Sequence, residues 1–365
     1  QDQQQQQNQD EQKQDKKEQE SQPEEKQKEL TDDQIKQMLQ KALQREAEHK
    51  EEKMKLGFGL YKHMLNDENY RFAKQCGASH IVVHLVDYFG HNEDKTDQPI
   101  GGEEGWGRSG DGKLWELDEL ITIKNEINSH GLKWEAIENF DPSMWYDVLL
   151  DGPKKQEQIE VLKQQVRIVG KAGIPILGYN FSLAGVAGRI KGPFARGGAE
   201  SVGMDGEDNT PIPSGMVWNM YYNTDLPKGT LPEIEHKELW KRLSFFLKEL
   251  GPVAEQAGVT LAAHPDDPPL PFVRQTPRLV YQPNMYQDLI DIFPSASNKL
   301  EFCLGTISEM TEGDVYEATD IYSSQNKIAY VHFRNVKGKV PHYKEVFVDE
   351  GDIDMLKILK ILQKN

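Results

Sequence analysis

Cysteine is scarce in this chain. Two in 365 residues, Cys76 and Cys303, are too few for a disulfide framework and suit a reducing compartment, so a cytoplasmic protein is expected. Long apolar runs are also missing. No stretch approaches the roughly 18 uninterrupted apolar residues that a membrane span requires, and no membrane partner is expected. Positive charge is in short supply: 43 Lys and Arg stand against 60 Asp and Glu, a formal net charge of −17. That balance argues against nucleic-acid binding through a basic surface. An acidic chain that takes an anionic substrate must supply cations locally, as Arg, Lys or a metal ion. Phosphate-binding fingerprints are absent too. The Gly-rich stretches GGEEGWGRSGDG (101–112) and ARGGAES (195–201) have neither GxGxxG nor GxxxxGK[ST] in a strand-to-helix context, and they read as flexible loops. The chain opens on Gln and Asp, without a signal peptide and without an initiating Met, as expected of a processed form or a fragment.

Residues 1–53 set themselves apart. The first 30 hold almost no apolar side chains, and such a segment cannot bury enough surface to offset the entropy of ordering it. It is expected to be a disordered, Gln-rich, charged tail. Over 31–53 a short helix is expected. Thr31, Asp32 and Asp33 suit its start, and Ile35, Met38, Leu39 and Leu43 share one face. An amphipathic or coiled-coil-like helix and a charged helix without a partner both remain open. The folded domain is expected to run from Met54 to Asn365.

From Met54 the text alternates. Strand-like runs fall at 55–61, 80–86, 132–138, 174–181, 259–265, 299–305 and 328–336; helix-like runs fall near 67–77, 117–130, 154–172, 236–257, 282–293, 313–325 and 352–363. Asn66-Asp67 and Gly351-Asp352 read as helix starts, and Gly77, Gly131, Gly173 and Gly258 as C-caps. Strict alternation implies a parallel sheet with right-handed crossovers. The fold class is therefore α/β, a (β/α)₈ TIM barrel of which seven units are visible. The eighth is expected to be missing from the chain. The long Gly- and Pro-rich connection at 182–235 is expected to be a lid or an oligomer contact, with a homodimer as the expected assembly.

Three of the strand-like runs each deliver one metal-ligand side chain late in the run: His264 in VTLAAHP, Cys303 in KLEFCLG and His332 in IAYVHFRNV. A parallel barrel builds its sites at that rim. A lone Cys or His in an apolar strand is usually a core residue, but three at matching positions point to one ion. Imidazole and thiolate together suit Mn²⁺, Fe²⁺, Co²⁺ or Zn²⁺, and three ligands suit an open, catalytic site. Asp266 and Asp267, in HPDDPPLP, either orient His264, contact substrate hydroxyls, or serve the turn. Arg334, Asn335 and Lys337 follow His332; Arg334 suits a carboxylate or a salt bridge. His84, Glu138, Asn139, Tyr179 and Asn180 end earlier strands, where polar groups read as substrate contacts.

Taken together, MKLGFGLYKHML, GYNF, AAHPDDPPLP, EFCLGTISEM, YVHFRNVKG and GDIDM resemble the mannonate dehydratase family, of the xylose-isomerase-like TIM-barrel superfamily. The resemblance runs from Met54 to Asn365. It implies a hydro-lyase of hexuronate catabolism that converts D-mannonate, a small sugar acid, to 2-keto-3-deoxy-D-gluconate with Mn²⁺ (or Fe²⁺ or Co²⁺). It implies metal ligands His264, Cys303 and His332. From their places at the strand ends and in the loops that follow, His84, Glu138, Asn180 and Arg334 are the expected catalytic residues, and Asp266, Asp267, Asn335 and Lys337 the expected substrate contacts. The family's fourth ligand, an Asp in a Pro-Asp-His motif, should lie beyond the last residue here, so low activity is expected. The run after GYNF, SLAGVAGRIKGPFARGGAESVG, departs from the family's more aromatic, acidic text, which leaves a different substrate open. A sugar isomerase or epimerase of the same superfamily and a non-catalytic sugar-acid-binding homologue are the competing readings; the Cys at 303 argues against the first.

Overall fold

In the computed structural model, residues 54–89 and 105–365 are described. The tail 1–53, with the helix expected at 31–53, lies outside the described residues, as do positions 101–104 of the first Gly-rich stretch. The first half of the domain runs Gly57–Tyr61 (β1), Asp67–Gln75 (α1), His80–His84 (β2), Leu117–Ser129 (α2), Lys133–Glu138 (β3), Tyr146–Leu150 (α3) and Lys155–Lys171 (α4). Ile176–Tyr179 (β4) is followed by a hairpin, Ile190–Ala195 (β5) and Ala199–Asp205 (β6), and by the long helix His236–Ala257 (α5). Thr260–Ala263 (β7), Met285–Ile292 (α6), Asn298–Cys303 (β8), Leu304–Glu309 (α7), Val315–Ser324 (α8) and Ile328–His332 (β9) come next. Asn335–Lys339 (β10), His342–Val346 (β11) and Met355–Lys364 (α9) complete the order.

Seven strands form one curled parallel sheet in the order β1-β2-β3-β4-β7-β8-β9. β1 and β9 are its two edges. These are the seven βα units that the alternation predicts. Strand residues two apart share a face, and here both faces are covered. On the outer face Ile81, Val83, Leu177, Leu261 and Phe302 join the main core under the helices; on the inner face Ala136, Ile176 and Ala262 form a separate small cluster with Val82 and Tyr330. Two positions after Val82, Ala136, Ala262 and Tyr330 stand His84, Glu138, His264 and His332, so these strands turn from mostly apolar at depth to chemical at the end.

The loops hold more order than composition suggests. ARGGAES, expected to be a flexible loop, is the turn of the β5–β6 hairpin, closed by Gly197 and Gly198 at φ 72° and 78°. β6 pairs with β11 and β11 with β10, giving a four-stranded antiparallel sheet, β10-β11-β6-β5. The hairpin thus ties the long connection to the segment after His332. Helix ends follow local chemistry. The Asn66 side chain accepts from the Asn69 amide at 3.0 Å, and Gly258 closes α5 at φ 67°. The last helix begins later than expected: Asp354 caps it, accepting from the Lys357 amide, whereas Asp352 accepts from Gly338 at 2.8 Å. The clearest cap is Asp314, which accepts from the amides of Tyr316 and Glu317 at 2.8 and 2.9 Å. Asp314→Ala is expected to cost about 1 kcal/mol, read by chemical denaturation; an unchanged midpoint would show that the cap adds nothing. Among the described residues no helix is long and apolar enough to cross a membrane.

Candidate active site

Where the parallel strands end, the curled sheet opens on a cavity of about 580 Å³. Six neighbouring strands each contribute to its wall at their last residue or just beyond: His84, Glu138, Asn180, His264, Cys303 and His332. The ligand atoms of His264, Cys303 and His332 all lie within 4.8 Å of one another. Cys303 and His332 are direct register partners across β8 and β9.

Local contacts prepare the three for an ion. His264 Nδ1 lies 2.6 Å from the Pro265 carbonyl. A carbonyl only accepts, so Nδ1 carries the hydrogen and Nε2 keeps its lone pair. The orienting partner of His264 is therefore this carbonyl, not Asp266 or Asp267. Thr306 Oγ1 donates to Cys303 Sγ at 3.1 Å. Burial pushes the Cys303 thiol up, but Arg334, with His264 and His332, outweighs it and holds the thiol well below its ordinary value. The thiolate is the ligand form. Two imidazoles and a buried thiolate facing an open cavity fit a divalent transition ion with free positions for substrate.

Beneath this trio lies a group that the sequence reading passed over. Glu301 sits two residues before Cys303 on β8 and is fully buried. His332 Nε2 is 3.1 Å from Glu301 Oε1 and 3.2 Å from Glu138 Oε2. Burial and the Glu138 charge push the Glu301 carboxyl up to about 8. Burial also acts to raise Glu138, but His84 and His332 outweigh it and hold that carboxylate well below the usual range. Burial pulls His332 down, and Glu138 and Glu301 more than restore it. His84 Nε2 lies 3.3 Å from Glu138 Oε2, and there desolvation prevails and lowers the imidazole. The signal for Glu301 was available: a carboxylate inside an apolar strand, in phase with Cys303.

Charged partners surround Asp267. Arg189 pairs with its carboxylate, Arg334 Nη2 lies 3.2 Å away, Tyr343 donates to it at 3.3 Å, and Thr306 Oγ1, whose one hydrogen is shared with Cys303 Sγ, lies 3.2 Å away. Arg334 also reaches Glu309 at 2.7 Å and Glu345 at 3.3 Å. It lines the cavity with a guanidinium already shared among three carboxylates. A Cβ at Gly305 would strike that guanidinium, so the residue after Leu304 must be small.

The remaining expected substrate contacts divide. Asp266 is turned away from the cavity wall: its carboxylate accepts from the Leu279 and Val280 amides at 2.8 Å each and meets Arg278 Nε at 3.0 Å. It folds the loop after β7. Asn335 touches the cavity, but its side chain spans the carbonyls of Val348 and Ile353 and the amides of Val336 and Ile353. Lys337 is off the wall, beside Glu350 at 3.4 Å. The backbone demands of the 348–353 turn consume Asn335, and Lys337, two residues further along β10, is exposed beyond the wall. Arg189 and Trp218, both on the cavity wall, were not singled out by the sequence reading.

The model of the D-mannonate dehydratase (UxuA) family matches residues 104–189 and 228–365. The chain belongs to the mannonate dehydratase family. The family is one of hydro-lyases, and its match contains all three residues of the imidazole–thiolate trio. A mannonate dehydratase from Streptococcus equi subsp. zooepidemicus is 28% identical over 264 residues, 69% of this chain and 72% of that protein. Mannonate dehydratase 2 from Halalkalibacterium halodurans is 28% identical over 262 residues, 68% of this chain and 75% of its own length. The crystal structure of mannonate dehydratase from Streptococcus suis serotype 2 superposes with a TM-score of 0.65 at 24% identity, covering 85% of this chain and 80% of that one. The mannonate dehydratase match leaves out 190–227, the stretch holding the β5–β6 hairpin and Trp218.

Proposed function

We propose that this chain dehydrates D-mannonate to 2-keto-3-deoxy-D-gluconate, with a divalent ion, Mn²⁺ or else Fe²⁺ or Co²⁺, held by His264, Cys303 and His332. The observation that carries the reading is the convergence of those ligand atoms within 4.8 Å at the mouth of the sheet, in a member of this family. When bound, the ion supplies Lewis acidity to the carboxylate end of the sugar acid. The protein's own groups do the rest. His84, neutral beside the Glu138 carboxylate, carries the proton that leaves C2. Glu138 holds and compensates it. Loss of the C2 proton and departure of the C3 hydroxyl as water leave an enol, which becomes the 2-keto product.

Two unsatisfied groups on the wall fit a polyhydroxy acid. Asn180 donates through Nδ2 to the Pro265 carbonyl at 3.2 Å, and its buried Oδ1 has no partner. It is the acceptor for a substrate hydroxyl. Arg189 Nε is likewise buried without a partner and meets a substrate oxygen. Arg334 acts through Cys303 and Asp267. The two free cysteines, Cys76 exposed and Cys303 buried, support a reducing, cytoplasmic setting, and a homodimer is the assembly we propose.

The full chain, stripped of metal and reloaded with Mn²⁺, tests the reading on D-mannonate. Formation of the 2-keto acid, lost on chelation and regained on reloading, is expected. A loaded chain that neither binds nor dehydrates D-mannonate sinks it. Binding of D-mannonate without turnover keeps the substrate but overturns the reaction.

A further inference from the structure

We propose that Trp218, with Tyr88 and Trp106, receives the far, hydroxylated end of the sugar acid and so selects a six-carbon acid over a shorter one. The inference rests on the proposed function, which places the carboxylate end at the ion. The imidazole–thiolate trio stands at or just past the ends of β7, β8 and β9. The aromatic residues belong to the other half of the mouth: Tyr88 and Trp106 lie between β2 and α2, and Trp218 between β6 and α5. All three line the cavity. Their rings touch pairwise. Tyr88 and Trp106 meet edge to face with centroids 5.3 Å apart, Trp106 and Trp218 do so at 5.4 Å, and Tyr88 and Trp218 lie 5.8 Å apart at 30°. A polyhydroxy chain carries C–H groups between its hydroxyls, and their partly positive hydrogens suit the negative face of an indole. The wall also offers a polar handle. Trp106 Nε1 is buried and has no partner, although a buried indole N–H usually finds one. A hydroxyl at the far end of the acid supplies that acceptor.

Trp218 is held there against its backbone preference. Met216–Val217 and Met220–Tyr221 pair antiparallel, so Trp218 and Asn219 form the two-residue turn between them. Both have positive φ, 53° and 61°. Tight hairpin turns call for that backbone and favour Asn and Gly in it, whereas a bulky residue there is an outlier. Such strain persists only where the surroundings over-determine it, and it clusters at ligand clamps and active sites. Several neighbours hold this turn. The Trp218 amide donates to the Leu183 carbonyl at 2.7 Å, and its Nε1 donates to the Asn180 carbonyl at 3.2 Å. Asn219 donates through Nδ2 to the Val186 carbonyl at 2.8 Å, and its Oδ1 accepts from Arg274 Nη1 at 3.1 Å. The Asn219 carbonyl accepts from the Trp106 amide at 2.6 Å, which ties the backbones of the two tryptophans together. The turn lies in the stretch 190–227 that the family match leaves out, whereas the imidazole–thiolate trio lies within the match. Selection at the far end is therefore this chain's own, set beside the shared chemistry at the other end.

The test compares two acids on the Mn²⁺-loaded full chain: D-mannonate, and L-erythronate, the four-carbon acid with the same arrangement from C1 to C3. Binding is read from the relaxation of water protons by the bound Mn²⁺, recorded before product accumulates. The parent is expected to hold D-mannonate at least about tenfold more tightly. Trp218→Asn suits the backbone of the turn and removes the ring. It should lose at least about tenfold in affinity for D-mannonate, as removal of a buried aromatic anchor does, and stay within about twofold for L-erythronate. Retained L-erythronate binding also certifies that the variant folds. Should it not fold, Trp106→Phe carries the test: the N–H goes, an aromatic ring stays, and a loss of about three- to tenfold for D-mannonate alone is expected. A parent that holds both acids equally overturns the subsite. So does a variant that keeps the parent's preference for D-mannonate, or one that loses both acids alike. A parent that binds neither acid counts against the proposed function itself, and the subsite falls with it.

Discussion

Replacing Cys303 with serine is expected to weaken Zn²⁺ and Co²⁺ binding by at least about 100-fold, the upper end of what outer partners of metal sites cost and a lower bound for a ligand. The substitution is nearly isosteric and leaves the Thr306 hydroxyl a partner where it now donates to sulfur at 3.1 Å. Its effect is therefore chemical. Arg334 and the two imidazoles hold the Cys303 thiol well below its ordinary value despite burial, which favours the anionic, ligating form of the sulfur. A serine hydroxyl in the same surroundings stays neutral, and a neutral oxygen is a poor ligand for a borderline-soft ion. With Co²⁺ as the probe, the sulfur-to-metal charge-transfer absorption should disappear. If the variant binds Zn²⁺ as tightly as the parent, the thiolate is not a ligand and the site at the cavity mouth has been misassigned.

The parallel sheet was legible because βα units repeat one simple pattern. The strands are mostly apolar on both faces. Helices α1, α8 and α9 begin at the side-chain caps Asn66, Asp314 and Asp354, and α1, α2, α4 and α5 end at or just before Gly77, Gly131, Gly173 and Gly258. The ligand residues stand at equivalent points of that repeat. His264, Cys303 and His332 meet because register forces them together: Cys303 faces His332 across one ladder, and β7 lies on the other side of β8. What could not be read depends on pairings between distant loops. The hairpin at 190–205 shows little alternation, yet it becomes ordered by pairing with 342–344. Asp266 and Asp267 are neighbours of the same type, and only the chain's path after β7 assigns one to Arg278 and two amides and the other to the cavity. Glu301 differs. Its phase with Cys303 placed it on the inner face, but a carboxylate in a strand reads as solvent-exposed until the strand is known to be covered on both sides.

The stability of the wall rests on Asp267, and Asp267→Asn is expected to cost about 3–5 kcal/mol, the range for removing one partner of a buried pair. Its side chain is 3% exposed, against 13% for Arg189 and 15% for Arg334. Arg334 has two further carboxylates, Glu309 and Glu345. Among the described residues Arg189 makes its ion pair with Asp267, and the variant would leave that buried charge without it. The dependence on pH has a definite sign. Burial tends to raise the Asp267 carboxyl, but Arg189 and Arg334 outweigh it and hold it well below the usual carboxylate range. A carboxyl whose folded value is depressed contributes fully above its unfolded value, about 3.9, and loses that contribution only as the pH falls toward the folded value. The stability difference between parent and variant should therefore be flat from neutral pH down to about 4 and shrink in stronger acid. Denaturant unfolding across that range measures it. A loss under about 1 kcal/mol at neutral pH, the size of an exposed pair, would mean that solvent rather than Asp267 balances Arg189. A difference that grew in acid would mean that Asp267 is not the ionised partner.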